Sequence, residues 1–264
     1  MTTINIAYAA TQDWFEYTII SISSVLFNSK ESDNYHFFIM SDNFSEENKN
    51  AFYKLNKIKN SEFSFLKIDN SEFGGIFISD LGYATNYRLK LSSLTNEDKI
   101  LYLDSDTIVL DDISELYNTD IEDYYIAAVK DKSWKAMRWR ISNDETFVFI
   151  NAGVILMNLK LFRKMNLEDK MINYLQNNAS NSHTDQDAIN AVCINKIKYL
   201  PLKYNIMVGG FWAVSYEEKE YDDAIKSPKI VHFVIKPWND KYYSTPFSLD
   251  WVKYKERIEE IIKD

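Results

Sequence analysis

Short apolar runs alternate with amphipathic helical patterns along the first part of this chain, and that alternation narrows the fold more than any other feature. Residues 4–10, 35–40 and 63–68 have the length and apolar content of buried strands. Between the first two, residues 15–27 carry Ile19, Ile20, Ile22, Val25 and Leu26, a spacing and length that fit a helix better than a strand. Ser45 is placed to cap a second helix, with Glu46 and Glu47 in its first turn and Phe52, Leu55 and Ile58 along one face. Strands that alternate with helices imply parallel crossover units, so the expected class is α/β.

The run Ile100-Leu101-Tyr102-Leu103 then delivers Asp104-Ser105-Asp106-Thr107 at its end. If extended geometry persists through Ser105, the two carboxylates point to one side of the backbone. Carboxylates held that close repel unless a positive group sits between them, and a divalent cation with oxygen ligands is the simplest one. Open α/β sheets bind ligands at the carboxyl ends of their strands, so such a cation would face an anionic substrate, with a diphosphate the obvious candidate. The motif alone is short, and isolated Asp-x-Asp pairs also occur in solvated turns.

Further along, residues 80–91 read as a helix containing Tyr87, Arg88 and Lys90. Residues 126–129 read as a strand ending in Lys130-Asp131. Residues 133–146 form a long polar connection with Trp134, Met137 and Trp139, a length that in compact domains marks a functional or mobile segment. A buried strand over 147–156 is interrupted by Asn151-Ala152-Gly153, and an amphipathic helix follows over 161–175. Thr184 can cap a helix opening Asp185-Gln186-Asp187. A last strand over 229–233 carries His232 and leads into Lys236-Pro237-Trp238, and residues 250–264 are helical in pattern. No internal repeat or linker is visible, so residues 1–264 are expected to form a single domain.

Composition excludes several classes. The net charge of −9 argues against a nucleic-acid partner and against a polybasic membrane anchor; an acidic protein handling an anionic substrate needs a metal to mediate. Aromatic residues make up 15% of the chain, which suits stacking on sugars or bases and equally suits a Tyr-rich core. The single cysteine, Cys193, excludes an intramolecular disulfide framework and a cysteine-rich zinc site, and reads as core. No signal-peptide pattern and no run of the ~18 apolar residues a span requires is present, so a cytoplasmic location is expected. The Asn-x-Ser triplets at Asn43 and Asn178 then carry no weight.

The order of these motifs resembles one family. Residues 8–13 (Tyr-Ala-Ala-Thr-Gln-Asp), Tyr87-Arg88-Leu89-Lys90-Leu91, Leu101-Tyr102-Leu103-Asp104-Ser105-Asp106, Phe149-Ile150-Asn151-Ala152-Gly153-Val154, Asp185-Gln186-Asp187 and His232-Phe233 with Lys236-Pro237-Trp238 are similar to the family 8 glycosyltransferases. These include bacterial lipooligosaccharide α-galactosyltransferases and glycogenin-like enzymes. The resemblance implies the GT-A fold, one nucleotide-binding α/β domain with a mixed, mainly parallel sheet flanked by helices. It also implies transfer of a hexose, galactose or glucose, from a UDP-sugar with retention and with Mn2+, onto a glycan or glycoprotein acceptor. Asp104, Asp106 and His232 would then be the metal ligands, and an imidazole added to carboxylates suits Mn2+ better than Mg2+. Ala9, Ala10, Thr11 and Asp13 would hold uridine and ribose. Arg88 and Lys236 would meet the donor phosphates or sugar, with Ser105 beside them. Asp131, Asn151, Asp185 and Gln186 would surround the donor hexose, Gln186 nearest the reacting carbon in a positioning role.

The chain departs from the family pattern in the segment after His232. Members place a glycine and extra residues before Lys-Pro-Trp, whereas only Phe233-Val234-Ile235 intervene here. Candidates for an acceptor groove are Gly209-Gly210-Phe211-Trp212, His183 and the Trp134–Trp139 connection, and an acceptor module beyond residue 264 or an oligomer is a further expectation. Two other readings stay open on sequence. One is a non-catalytic sugar- or nucleotide-binding domain. The other is a phosphatase of the haloacid dehalogenase type, whose nucleophile motif Asp104-Ser105-Asp106-Thr107 also fits, although about a hundred α/β residues precede it here and no downstream Gly-Asp-x-x-x-Asp loop follows.

Overall fold

The computed structural model, which describes residues 3–78, 82–209, 216–239 and 245–263, places the alternating elements in one seven-stranded sheet. The first half runs β1 (Thr3–Ala9), α1 (Phe15–Phe27), β2 (Asn34–Ser41), α2 (Glu46–Tyr53), β3 (Glu62–Lys67), α3 (Leu91–Leu94), β4 (Lys99–Leu103), β5 (Thr107–Val109), α4 (Ser114–Tyr117) and β6 (Ile126–Lys130). The second half runs α5 (Trp134–Met137), β7 (Ile150–Asn158), α6 (Leu159–Met165), α7 (Leu167–Asn177), α8 (Asp185–Cys193), β8 (Ile197–Tyr199), β9 (Ile206–Val208), α9 (Glu218–Lys226), β10 (Ile230–Phe233) and α10 (Ser248–Lys263). The strand order is β3-β2-β1-β4-β7-β6-β8, and β7 alone runs antiparallel to its neighbours β4 and β6. This is the mixed, mainly parallel sheet of the GT-A fold.

Period-two alternation along the strands sends successive side chains to opposite faces. Ile4, Ile6, Tyr8, Leu101, Leu103, Val154 and Leu156 pack with α1 and α10, through Ile19, Ile22, Trp251 and Tyr254. Ala7, Ile100, Tyr102, Ile155 and Met157 pack on the other face with Phe162, Met171, Leu175 and Ile189 of α6, α7 and α8. Both faces are covered, which is why the central strands read as nearly continuous apolar runs. Cys193 is buried, as expected. Among the described residues no helix is long and apolar enough to cross a membrane.

Helix α1 carries a second message that its apolar pattern conceals. Thr18, Ser21 and Ser24 lie on one face and are fully buried. Their hydroxyls meet Ser105 Oγ at 2.8 Å, Thr107 Oγ1 at 3.1 Å and the Val109 amide at 2.8 Å. Asn28 extends the row with a bond to the Val109 carbonyl at 2.9 Å. A buried hydroxyl needs a partner, so this stripe fixes where the segment after β4 lies against α1.

Several local expectations are corrected. The strand predicted over 147–156 starts at Ile150, and its expected interruption at Asn151-Ala152-Gly153 is a bulge: Ala128 pairs with Ile155 and Lys130 with Ile150, so residues 151–154 leave the β6 ladder, and the Ala152 and Gly153 amides turn to the Gln186 and Asn151 side chains. The helix predicted over 161–175 is two helices, split where Asn166 takes the left-handed conformation at φ 51°. The helix predicted over 80–91 is a 3-10 segment, Tyr83–Lys90, followed by α3, and Asp80 lies outside the described residues. The connection 133–146 contains α5 and a 3-10 turn, Arg138–Arg140. Strand β10 falls within the strand read over 229–233, but the small second sheet it forms, β5-β10-β9, was not expected, since the three-residue β5 and β9 carry too little pattern to be read.

The break at Asn166 generates a test. Asn tolerates the left-handed region through local hydrogen bonding, whereas a β-branched residue does not. Asn166→Ile should cost about 1–2 kcal/mol in urea denaturation, and Asn166→Gly should be close to neutral.

Candidate functional site

The strand order turns back between β1 and β4. From β1 the chain crosses through α1 to β2 on one side, while β4 is added on the other, and such a switch point opens a crevice at the carboxyl ends of the two strands. A cleft of about 110 Å³ lies there. Ala9 and Ala10 at the end of β1, Arg88, Asp104, Ser105, Asp106 and Lys236 all line it, as expected. Trp14, Ala84, Thr85 and Tyr102 line it too, and sequence reasoning had not singled them out. Thr11 and Asp13 do not. Thr11 precedes a 3-10 turn, Gln12–Trp14, that carries the Trp14 ring into the cleft instead, and Asp13 is exposed.

Asp104 and Asp106 do converge, but not by extended geometry. β4 ends at Leu103, and Asp104-Ser105-Asp106 is a tight turn into β5, closed by the Thr107 amide on the Asp104 carbonyl at 3.1 Å. Strand β10 pairs antiparallel with β5 and sets His232 opposite Thr107. His232 Nε2 then lies 3.2 Å from Asp106 Oδ1 and 3.8 Å from Asp104 Oδ2. Among the described residues these three form the group able to hold a metal ion, with one ligand atom from each within 4.8 Å of the others. Gly153 on β7 makes the room. A Cβ there would come within 2.3 Å of His232 Cε1 and 2.8 Å of Asp104 Oδ2, closer than side chains approach one another. Two carboxylates and an imidazole around one point fit a divalent transition ion.

Charge at this point is balanced by named partners. Burial works against ionisation of Asp106, but His232 and Lys236 outweigh it and hold the carboxyl below its usual range. Burial likewise opposes protonation of His232, and Asp106 with Asp104 overrides it, raising the imidazole above its usual value. Lys236 Nζ is bonded to Asp106 Oδ2 and to the Phe233 carbonyl at 3.0 Å. The short Phe233-Val234-Ile235 segment therefore brings Lys236 onto a metal-ligand candidate. Behind it, Trp238 stacks on Tyr17 at 3.8 Å and meets Trp14 edge-on at 5.7 Å, which fastens the Lys236-Pro237-Trp238 turn to α1.

Arg88 is the hub on the opposite wall. Its guanidinium reaches Asp104 Oδ1 and Asp185 Oδ2, each at 3.0 Å, donates to the Ala152 carbonyl and to the Thr85 carbonyl at 2.9 Å, and lies over the Tyr102 ring at 4.4 Å. Burial disfavours its charge, yet Asp104, Tyr102 and Asp185 together hold its pKa above normal. Each of its three nitrogens meets a protein group, so Arg88 holds two carboxylates together at the cleft wall while it still lines the cleft. Asp185 opens α8, where Thr184 and Asp187 form a capping box.

The remaining candidates meet beside this wall. Asn151 Nδ2 donates to Asp131 Oδ2 at 3.1 Å and to Gln186 Oε1 at 3.3 Å, while Gln186 Nε2 donates to Asp131 Oδ2 at 3.3 Å. The Ala152 amide donates to Gln186 Oε1 at 2.9 Å. Antiparallel β7 makes this possible, because it brings its N-terminal end to the edge where β4 and β6 finish. Of the acceptor-groove candidates, His183 is buried and bonded to Tyr174 at 2.8 Å, Trp139 is exposed on the surface, and Gly210, Phe211 and Trp212 lie outside the described residues.

Two outcomes follow from this geometry. If this group holds a divalent ion, Gly153→Ala should lower the affinity for Mn2+ used as a probe about tenfold or more, read by electron paramagnetic resonance of free Mn2+, at a stability cost of about 1–3 kcal/mol. Asp185 supplies a pH signature. Burial pushes its carboxyl up to about 6 against the pull of Arg88, from 3.8 unperturbed. The native state therefore binds more protons than the unfolded chain between those values, so this group favours folding increasingly as pH falls from 7 to 4. Wild type should gain about 2 kcal/mol relative to Asp185→Asn over that interval in urea denaturation. A flat or inverted difference would refute the assignment.

Comparison with known proteins agrees with this geometry. The chain is 29% identical over 174 residues to general stress protein A of Bacillus subtilis strain 168, covering 61% of each chain. It is 26% identical over 255 residues to a lipopolysaccharide 1,3-galactosyltransferase of Salmonella typhimurium, covering 89% of this chain and 73% of that protein. The chain spans about three fifths of the length of the first curated relatives it matches. In structure it is similar to the galactosyltransferase LgtC in complex with donor and acceptor sugar analogues, with TM-score 0.83, 23% identity and 96% of both chains covered, which shows a shared fold. The family model for glycosyl transferase family 8 matches residues 5–242, which excludes the haloacid dehalogenase reading. The chain belongs to glycosyltransferase family 8.

Proposed function

We propose that this glycosyltransferase moves a hexose, galactose or glucose, from a UDP-sugar to a glycan or glycoprotein acceptor with retention of configuration, in a Mn2+-dependent reaction in the cytoplasm, and that the chain acts as one catalytic domain. The observation that carries the reading is the convergence of Asp104, Asp106 and His232 at the mouth of the β1–β4 crevice, with Lys236 beside them. The lipopolysaccharide galactosyltransferase among the relatives supports a hexose as the group transferred.

Asp104, Asp106 and His232 would hold the ion, which when bound supplies positive charge to the diphosphate and to the charge growing on the departing nucleotide. Ala9 and Ala10 keep the floor of the cleft low enough for close approach, and the Trp14 ring offers a stacking face for the uracil. Lys236 is the second cation of the site, its ammonium beside Asp106 and within the cleft where a donor phosphate would lie. Arg88 holds Asp104 and Asp185 in place. Asp131, Asn151, Asp185 and Gln186 form the rim where the hexose would sit. A neutral amide is a poor nucleophile, so Gln186 orients the sugar and does not attack it.

The test is UDP release from a panel of UDP-sugars with Mn2+, Mg2+ or EDTA. Slow hydrolysis of one donor is expected with Mn2+, abolished by EDTA and reduced at least about 100-fold in Asp106→Ala. No UDP binding and no hydrolysis with any metal would sink the proposal. Binding without turnover, with or without glycan acceptors, would replace it by a non-catalytic sugar-nucleotide module.

A further inference from the structure

We propose that Asn205 is a positioning residue that holds His232 in a single tautomer and ties that ligand to the side chains around the donor hexose. The proposal rests on the metal and donor reading above. Asn205 lies between a 3-10 turn, Leu202–Tyr204, and β9, and is completely buried. It faces two polar side chains. Its Oδ1 is 3.2 Å from His232 Nδ1, and its Nδ2 donates to Asn151 Oδ1 at 2.9 Å.

The direction of these bonds is fixed by groups that have only one role. The Gly153 amide can only donate, and it meets Asn151 Oδ1 at 3.0 Å. The Asp131 carboxylate can only accept, and it meets Asn151 Nδ2 at 3.1 Å. Asn151 is therefore oriented with its oxygen toward Asn205, which requires Asn205 to present its NH2 there and its oxygen to His232. An oxygen at that place accepts only from a protonated Nδ1. Nδ1 therefore keeps its proton, and Nε2, which faces Asp106 and Asp104, is the nitrogen left to give its lone pair to an ion bound between them. One chain of donors runs His232, Asn205, Asn151, Asp131, and Gln186 joins it through Asn151 and Asp131.

A ligand histidine whose second nitrogen is held this way keeps its ring angle and its basicity toward a metal. Here the same residue also spans from β10 to β7, so the metal ligand and the hexose rim share one rigid frame. A buried Asn that merely fills space would satisfy the same packing without setting a tautomer, and the two roles can be separated by substitution.

The experiment compares Asn205→Asp and Asn205→Leu in the full chain. Asp keeps an acceptor for His232 Nδ1–H but loses the donor to Asn151; Leu, of similar volume, loses both. Long-range 1H–15N spectra of the imidazoles, recorded with the diamagnetic ion Zn2+ or Mg2+ in the site, report which nitrogen keeps its proton, and only three histidines need assignment. Mn2+ affinity is read by electron paramagnetic resonance, and kcat and KM by UDP-hexose hydrolysis. Wild type should show the Nδ1–H form. Asn205→Leu should lose it and bind Mn2+ about 10–100-fold more weakly. Asn205→Asp should keep the tautomer and bind Mn2+ at least as tightly as wild type, yet lower kcat about tenfold, because Asn151 is released from its place. The proposal is overturned if Asn205→Leu keeps the wild-type tautomer and Mn2+ affinity, or if Asn205→Asp weakens Mn2+ binding or leaves kcat unchanged. Should Asn205→Leu fail to fold, Asn205→Asp alone decides between these results. A wild type that turns over no UDP-hexose would overturn the donor assignment, while the tautomer and Mn2+ readings would still decide the link between Asn205 and His232.

Discussion

Two carboxylates on one tight turn are the constraint on which the rest of this molecule depends. Asp104 and Asp106 sit at the end of a buried strand, Asp106 buried and Asp104 half-buried at the cleft, where solvent screens their repulsion only in part. The fold answers with positive groups from distant parts of the chain. Arg88 takes Asp104 from one wall, and His232 and Lys236 take Asp106 from the other. Each of these groups is held in turn: Arg88 by two carbonyls and Asp185, His232 by Asn205, and Lys236 by a turn stacked on Tyr17 and Trp14. The site is a network of mutual compensation, and its geometry is set before any ligand arrives.

The architecture makes that convergence possible through two departures from simple parallel crossover. Antiparallel β7 reverses the direction of one strand, so that Asn151 and Gly153 arrive at the edge where β4 and β6 end. The small sheet β5-β10-β9 brings His232 across to the Asp104-Ser105-Asp106 turn. Gly153 then matters for what it lacks, since imidazole and carboxylate occupy the space a Cβ would fill. The hydroxyl stripe of α1 fixes the turn from behind, so the turn cannot slide relative to the sheet.

These arrangements give function a physical basis. A transferase that works by stabilising charge on a departing diphosphate needs positive charge held in position in advance, because rearrangement during the reaction would consume the advantage. The cleft supplies a low floor at Ala9 and Ala10, an aromatic face at Trp14, and a rim of amides and carboxylates at Asp131, Asn151 and Gln186. The polar chain through Asn205 binds the rim and the metal-ligand candidates into one unit. Buried polar networks of this kind hold a unique arrangement only when every member is satisfied, as each amide of this chain is.

Much of this was legible in the sequence, and the limits have physical causes. Periodicity located the long helices and the central strands, because burial on one or two faces imposes a repeat on the residues themselves: α1 occupies the predicted residues 15–27. Motif order located Asp104, Asp106, His232, Asn151, Gln186 and Lys236, because their chemistry demands particular side chains at strand ends. Strands of three residues left no repeat to read, and the left-handed Asn166 divided a helix whose apolar pattern runs through the break. The commitment of Arg88 to Asp104 and Asp185, the entry of Trp14 into the cleft in place of Thr11 and Asp13, and the burial of His183 against Tyr174 all depend on distances between residues remote in the chain. Sequence by itself determined the class of fold and the kinds of groups brought to the crevice, since those follow from local pattern and side-chain chemistry. Only tertiary structure decided which of those groups face each other, and in which hydrogen-bonding direction, since that is settled by packing across the sheet.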